Sequence, residues 1–180
     1  MSTPHYDPVA IGLHWGIAAL IAAAFVLGLT VDDFPKAYEG TVVNTHAIIG
    51  LAVVLLSLTR VGWRLAHRAP PLPRGTGRMV EAASKLVHGS LYILMIVVPL
   101  IGIPTLLYRG RGIDFGILQL APLVPRTPEI YRPLTDVHEL AAYALVLLAA
   151  GHILAALYHQ YVLRDGLVGR MNIRAMSGRS

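Results

Sequence analysis

Four long apolar stretches, at about 9–31, 41–63, 82–107 and 136–163, alternate with shorter segments that hold most of the prolines. At ~1.5 Å per residue each stretch is long enough to cross the hydrocarbon core of a bilayer. The pattern predicts four transmembrane helices and an all-α, integral membrane four-helix bundle. The segment Arg64 to Arg74 carries Pro70, Pro71 and Pro73 among its charges and predicts a short solvated connector. The stretch from Tyr108 to Thr135 is the longest connection. Its Pro122, Pro125, Pro128 and Pro133 are expected to exclude a continuous helix and leave it folded over one mouth of the bundle. The first span differs from a secretory signal, because no Lys or Arg precedes it and its apolar run exceeds the ~7–15 residues of a signal core.

Composition strengthens the membrane reading. Of 180 residues, 55% are hydrophobic and 14% charged, against roughly 45–50% and 25% in a soluble domain. Four spans of ~20 residues use nearly half the chain, so residues 1–180 are expected to form one domain. The absence of cysteine removes disulfides, thiolate metal sites, iron–sulfur clusters and covalently attached c-type haem. Any metal must rest on His, Met or carboxylate.

The net charge of +5 acts as a topology signal. Arg60, Arg64, Arg68, Arg74, Arg78, Lys85, Arg164, Arg170, Arg174 and Arg179 fall on the side of both termini, ten of the fifteen basic residues. Lys36, Arg109, Arg111, Arg126 and Arg132 fall on the other, among Asp32, Asp33, Glu39, Asp114, Glu129 and Asp136. Basic residues are retained inside during insertion, which predicts that both termini are cytoplasmic. These charges sit at span ends with no aromatic-interleaved patch, so nucleic acid is not an expected partner; membrane lipid is.

Six of the eight histidines lie in spans, where an ionisable side chain asks for a partner or a function. His138 and His152 are fourteen residues apart on the fourth span. That interval returns to nearly the same helix face and separates them by ~21 Å. His46 lies at the depth of His138, and His14 at the depth of His152, giving two transverse pairs. An interhelical hydrogen bond explains one such histidine, and zinc or copper would need all its ligands within ~2.0–2.1 Å of one ion. Two pairs at matched depths suit bis-histidine haem iron, closed to oxygen and fitted to electron transfer. Gly12, Gly16, Gly50 and Gly151 stand near these histidines and either admit a flat ring or serve ordinary close packing. Pro99 and Pro104 are expected to bend the third span.

The motifs His14-Trp15, Asn44-Thr45-His46, His88-x-x-x-Tyr92, Tyr108-Arg109-Gly110 and Val137-His138-Glu139, with His152 and His159 beyond them, resemble the bacterial cytochrome b561 family over almost the whole chain. The resemblance implies two haem b groups in a bacterial inner membrane, one held by His14 and His152 on the cytoplasmic side and one by His46 and His138 on the periplasmic side. Size and loop lengths are most similar to its stand-alone superoxide oxidases, which implies superoxide as donor and ubiquinone as acceptor. His88, His159 and Trp15 are then candidates for a quinone site, or else satisfy each other or the haem propionates. Lys36, Arg109, Arg111, Arg126 and Arg132 are candidates for drawing in superoxide, or for anchoring to headgroups. Asp136, Glu139 and Tyr143 either fix the His138 ring or, for the acids, suit a helix start. Two alternatives stand beside this reading: an anchor subunit relaying electrons from a soluble redox partner to quinone, and a haem-free transporter with a histidine-lined path.

Overall fold

The computed structural model describes residues 5–67, 70 and 77–172. Arg68, Arg74, Arg174, Arg179, Pro71 and Pro73, which enter the charge and connector arguments, lie outside the described residues. The four spans are helices α1 (Pro8–Thr30), α2 (Lys36–Ala66), α3 (Arg78–Tyr108) and α4 (Pro128–Tyr158). All four are long and apolar enough to cross a membrane, so the chain is an all-α four-helix membrane bundle. At 31 residues, α2, α3 and α4 each reach ~46 Å. That exceeds the ~30 Å hydrocarbon core, so charged ends such as Lys36, Arg64 and Arg78 reach the headgroups.

Each helix start has a local cause. Asp7 caps α1, its Oδ1 accepting the Ala10 N–H at 2.9 Å, with Pro8 in the first turn where no N–H partner is needed. The same oxygen accepts Trp63 Nε1–H at 3.0 Å and ties the start of α1 to the end of α2. α4 begins at Pro128 by the same proline logic. It then runs through Pro133, which corrects the expectation that the prolines exclude helix as far as Thr135. Pro133 lies so near the start that only one intrahelical bond, to the Glu129 carbonyl, is lost. α3 likewise continues through Pro99 and Pro104.

The helices pack in sequence, α1 on α2, α2 on α3 and α3 on α4. α4 lies tightly along α3 and meets α1 across the bundle through side chains such as Phe25 and Tyr143, whose rings are 5.7 Å apart. Buried apolar residues are few: Ile11 and Ile17 on α1, Val42, Val53 and Val54 on α2, Val98 and Leu106 on α3, Tyr131 and Leu145 on α4. Large apolar side chains such as Leu55, Ile93, Leu147 and Leu154 point outward, as lipid permits and water does not.

Between α3 and α4 the chain forms a small antiparallel hairpin, β1 (Ile113–Asp114) with β2 (Gln119–Leu120). Asn44 of α2 pins it twice, donating from Nδ2 to the Asp114 carbonyl at 2.8 Å and accepting the Asp114 N–H at 2.9 Å. Gly112 has no alternative here, since a Cβ would collide with the Leu120 carbonyl. The hairpin thus covers the bundle end that carries His46. At the opposite end α4 passes into a π turn (His159–Leu163) and a short 3-10 turn (Val168–Met171) that folds back under α1. The Tyr6 N–H bonds the Arg170 carbonyl at 3.2 Å.

Candidate functional site

The structure brings together the histidines that matched depths pair. His46 of α2 and His138 of α4 have ring centres 6.0 Å apart, and His14 of α1 and His152 of α4 are 6.4 Å apart. Two imidazoles on opposite sides of one metal ion, bonded through nitrogen at ~2.0–2.1 Å and with about 1.1 Å from nitrogen to ring centre, set their centres about 6.3 Å apart. Both pairs match that spacing.

The outer pair, His46 and His138 at the hairpin end of the bundle, is held by backbone; His14 and His152, at the end of both termini, are the inner pair. His46 Nδ1 lies 2.9 Å from the Ala24 carbonyl of α1, and His138 Nδ1 lies 2.9 Å from the Val98 carbonyl of α3. A carbonyl only accepts, so each Nδ1 carries the proton and each Nε2 keeps its lone pair for a metal. Both rings lie against glycine. A Cβ on Gly28 would stand 3.4 Å from His46 Cε1, and one on Gly102 would stand 3.1 Å from His138 Cε1. These four positions, Ala24, Gly28, Val98 and Gly102, escape sequence reasoning. The only signal for them is an isolated glycine inside an apolar span, which Gly28 and Gly102 share with glycines that touch no histidine. A Cβ on Gly16 or Gly151 would meet nothing within 4 Å, and one on Gly50 would make ordinary contact with Pro99.

Asp136, Glu139 and Tyr143 do not fix the His138 ring, which takes the Val98 carbonyl instead. Nor is Asp136 a helix-start acid, because α4 begins two turns earlier and places Glu129 in its first turn. The dipole argument therefore belongs to Glu129.

Around the inner pair stand His88, Trp15 and Arg60. The His88 ring is 5.1 Å from His152, and Trp15 is 5.2 Å from His14. His88 Nδ1 donates to the Ser84 carbonyl at 2.6 Å, leaving Nε2 as its working nitrogen. Arg60 donates to the Ala10 carbonyl at 2.7 Å and from Nε to Tyr92 Oη at 3.2 Å, and its charge acts on His14 and His152. The His88-x-x-x-Tyr92 spacing thus puts a histidine beside the inner pair and a hydroxyl under its arginine. Trp15 Nε1–H donates to the Met171 carbonyl at 2.9 Å. His159 turns elsewhere: it bonds Asp165 and shares no hydrogen bond or ring contact with His88 or Trp15 among the described residues.

At the outer end the basic residues divide. Lys36 and Arg111 both pair with Glu39, at 3.1 and 2.8 Å. Arg109 and Arg126 gather on Tyr131, each guanidinium over its ring. Arg109 also acts electrostatically on His138, and its Nε is buried without a hydrogen-bond partner. An orphaned guanidinium nitrogen beside the outer histidines suits an anionic group such as a haem propionate. No three His, Asp or Glu side chains among the described residues are arranged to hold one bare metal ion. The donor set is two separate imidazole pairs, and it fits haem.

A four-helix membrane bundle with two imidazole pairs across its core, one of them oriented by backbone carbonyls, is the class of a membrane electron-transfer protein. The prokaryotic cytochrome b561 family profile matches residues 5–172, and the chain belongs to that family. Membership implies haem b. The chain is 33% identical over 177 residues to "Cytochrome b562" of Cereibacter sphaeroides, covering 93% of this chain and 95% of the relative. It is 31% identical over 174 residues to "Probable superoxide oxidase CybB" of Yersinia pestis, covering 92% and 94%. It is 29% identical over 169 residues to "Cytochrome b561 homolog 1" of Escherichia coli, covering 92% and 96%. The family and these relatives support an oxidoreductase in a bacterial membrane.

Proposed function

We propose that the chain, as one domain over residues 1–180, is a di-haem superoxide:ubiquinone oxidoreductase of the bacterial inner membrane with both termini cytoplasmic. His14 and His152 hold the cytoplasmic haem b, and His46 and His138 the periplasmic one. The observation that carries this reading is the spacing of the two ring pairs, 6.4 and 6.0 Å, with the outer Nδ1 atoms tied to carbonyls. When bound, the haems supply one-electron transfer between the two faces of the membrane.

The protein's own residues attract, position and protonate. Superoxide is a small anion, and Arg109 and Arg126, gathered on Tyr131, offer it positive potential at the outer end, whereas Lys36 and Arg111 share the one carboxylate of Glu39, which halves their charge. Two superoxide anions become two O2 and release two electrons one at a time. One ubiquinone takes those electrons with two protons to become ubiquinol. Trp15, His88 and His159 stand at the cytoplasmic end, where the quinone head group would dock. His88 Nδ1 donates to the Ser84 carbonyl, which leaves its Nε2 to hydrogen-bond a quinone oxygen.

Stopped-flow mixing of superoxide with the oxidised, haem-loaded protein tests the assignment. Haem reduction within the mixing experiment, reversed by added ubiquinone analogue, is the expected result. Haem that stays oxidised would remove superoxide as donor. One observation favours the anchor-subunit alternative: Ile117, Leu118 and Leu123 on the outer connection are strongly exposed and would suit a docked protein. A soluble dehydrogenase or hydrogenase copurifying with the chain, and lost when Ile117 becomes Asp, would shift the assignment to it.

A further inference from the structure

The end of α4 carries a side-chain pair that the paired histidines do not use. His159 Nδ1 meets Asp165 Oδ2 at 2.5 Å, a short contact between a ring nitrogen and a carboxylate. The other carboxylate oxygen, Oδ1, accepts the Leu167 N–H at 3.1 Å. The backbone builds this pair. The helix leaves α geometry after Tyr158, makes the π turn and places Arg164 in the left-handed region at φ 53°. That reversal returns Asp165 to the ring it follows by six residues, its N–H reaching the His159 carbonyl at 3.4 Å, and Gly166, at φ 74°, turns the chain onward. A left-handed arginine is unusual and a π turn in a helix is rare, and both recur where function constrains the chain.

The surroundings suit proton transfer. The two side chains are 23% and 24% exposed, partly shielded yet in reach of water. Asp165 is followed by the strip of chain whose Met171 carbonyl takes Trp15 Nε1–H and whose Arg170 carbonyl takes the Tyr6 N–H. The dyad thus lies at the same end of the bundle as Trp15, His14 and His152, with His159 seven residues beyond His152 on the continuation of α4. Burial opposes ionisation of Asp165, but hydrogen bonds from His159 and the Leu167 N–H, with the charges of His159 and Arg170, outweigh it and hold its carboxyl below the usual range. Asp165 is thus an anion at neutral pH, and an anion only accepts. The proton must lie on His159 Nδ1, leaving Nε2 to exchange protons.

We propose that Asp165 is the positioning residue of a carboxylate–imidazole dyad through which His159 delivers protons from the cytoplasm to the quinone. The proposal rests on the quinone-reducing reading above. For each electron that reaches the quinone, one proton leaves Nε2 of the His159 imidazolium for a quinone oxygen, and the ring keeps its Nδ1 proton on Asp165. Water on the cytoplasmic side then restores the Nε2 proton. Two such turns, with electrons from two superoxide anions, complete one quinol.

Asp165→Asn separates this role from a purely structural one, because the amide oxygen can still accept the Leu167 N–H while the charge is gone. The experiment uses the full-length, haem-loaded protein and a short-chain ubiquinone analogue. Superoxide should reduce the haems of D165N as fast as those of the parent. Reoxidation by quinone should slow on the order of 10–100-fold, the usual cost of removing a carboxylate that orients a histidine. The loss should fall on kcat, with KM and quinone binding by tryptophan quenching within about twofold. Asp165→Glu, which keeps a carboxylate for the ring, should restore much of the rate. Unchanged reoxidation in D165N, or a loss that appears in KM and is as large in D165E, would overturn the dyad. If quinone fails to reoxidise the haems of the parent protein, the quinone reading falls and the dyad falls with it.

Discussion

A methyl group added to Gly102 would press on His138 at 3.1 Å from Cε1, and one added to Gly28 would only touch His46 at 3.4 Å. Alanine also favours a helix over glycine by about 1 kcal/mol. The balance differs at the two sites. Gly28→Ala should leave the periplasmic haem in place and raise thermal stability slightly. Gly102→Ala should displace the His138 ring from the Val98 carbonyl and lower occupancy of that haem, leaving the cytoplasmic haem unchanged. Reduced-minus-oxidised spectra of the two variants check this; equal haem content would mean that the glycine at 102 does not set the ring. Much at this scale was legible in the sequence. The fourteen-residue interval on α4 and the depths of His14 and His46 named both pairs. The partners of the Nδ1 atoms were not legible, because they are backbone carbonyls, which every residue carries. Asp165 was missed for a related reason: a helical phase run on to Leu163 gives no sign of a π turn that brings residue 165 back to residue 159.

Asn44 shows how an element is positioned by one side chain. Its two hydrogen bonds to Asp114 fasten the β1–β2 hairpin to the start of α2, two residues from His46. Each such bond contributes about 1 kcal/mol. Asn44→Ala should speed amide hydrogen exchange across residues 112–121 without altering haem content, as followed by mass spectrometry; exchange that stays slow would mean that Gly112 and the Arg111–Glu39 pair suffice. The sequence expected the longest connection to cover a mouth of the bundle, and its hairpin does so. It expected too long a connection, because it read the prolines of the connection as breakers. A proline costs a helix one bond, which α3 bears at Pro99 and Pro104, and Pro128 and Pro133 sit where little is lost. Both boundaries of α2 and α3 moved outward for a different reason. Hydropathy marks where lipid ends, whereas these helices continue into the headgroups with charged end turns, Lys36, Glu39 and Arg64 on α2 and Arg78 and Glu81 on α3.

For the whole molecule, the charges at the two ends give the pH and salt behaviour. Burial opposes ionisation of Asp7, but hydrogen bonds from the Ala10 N–H and Trp63 Nε1–H outweigh it and hold its carboxyl below the usual range, as is also true of Asp165. Each carboxyl is more acidic folded than unfolded, so its contribution is complete above the usual carboxylate range and vanishes as pH falls through the lowered value. The start of α1 and the C-terminal turn should therefore loosen below about pH 4, seen as faster local hydrogen exchange there while the buried helices stay protected; protection that persists into stronger acid would contradict it. At the other end, steering by Arg109 and Arg126 predicts that superoxide oxidation slows as ionic strength rises, because the Debye length shrinks from ~10 Å at 0.1 M to ~3 Å at 1 M. A rate indifferent to salt would remove steering. The bundle and its membrane character were plain from the apolar runs; which face each end meets rests on the distribution of basic residues.

The haem b content of the purified chain and its single-histidine variants tests the central claim most directly. Two haems per chain are predicted for the parent protein, with His46→Ala or His138→Ala each losing the same haem and His14→Ala or His152→Ala each losing the other. A parent holding one haem or none, or partners in a proposed pair losing different haems, would contradict it.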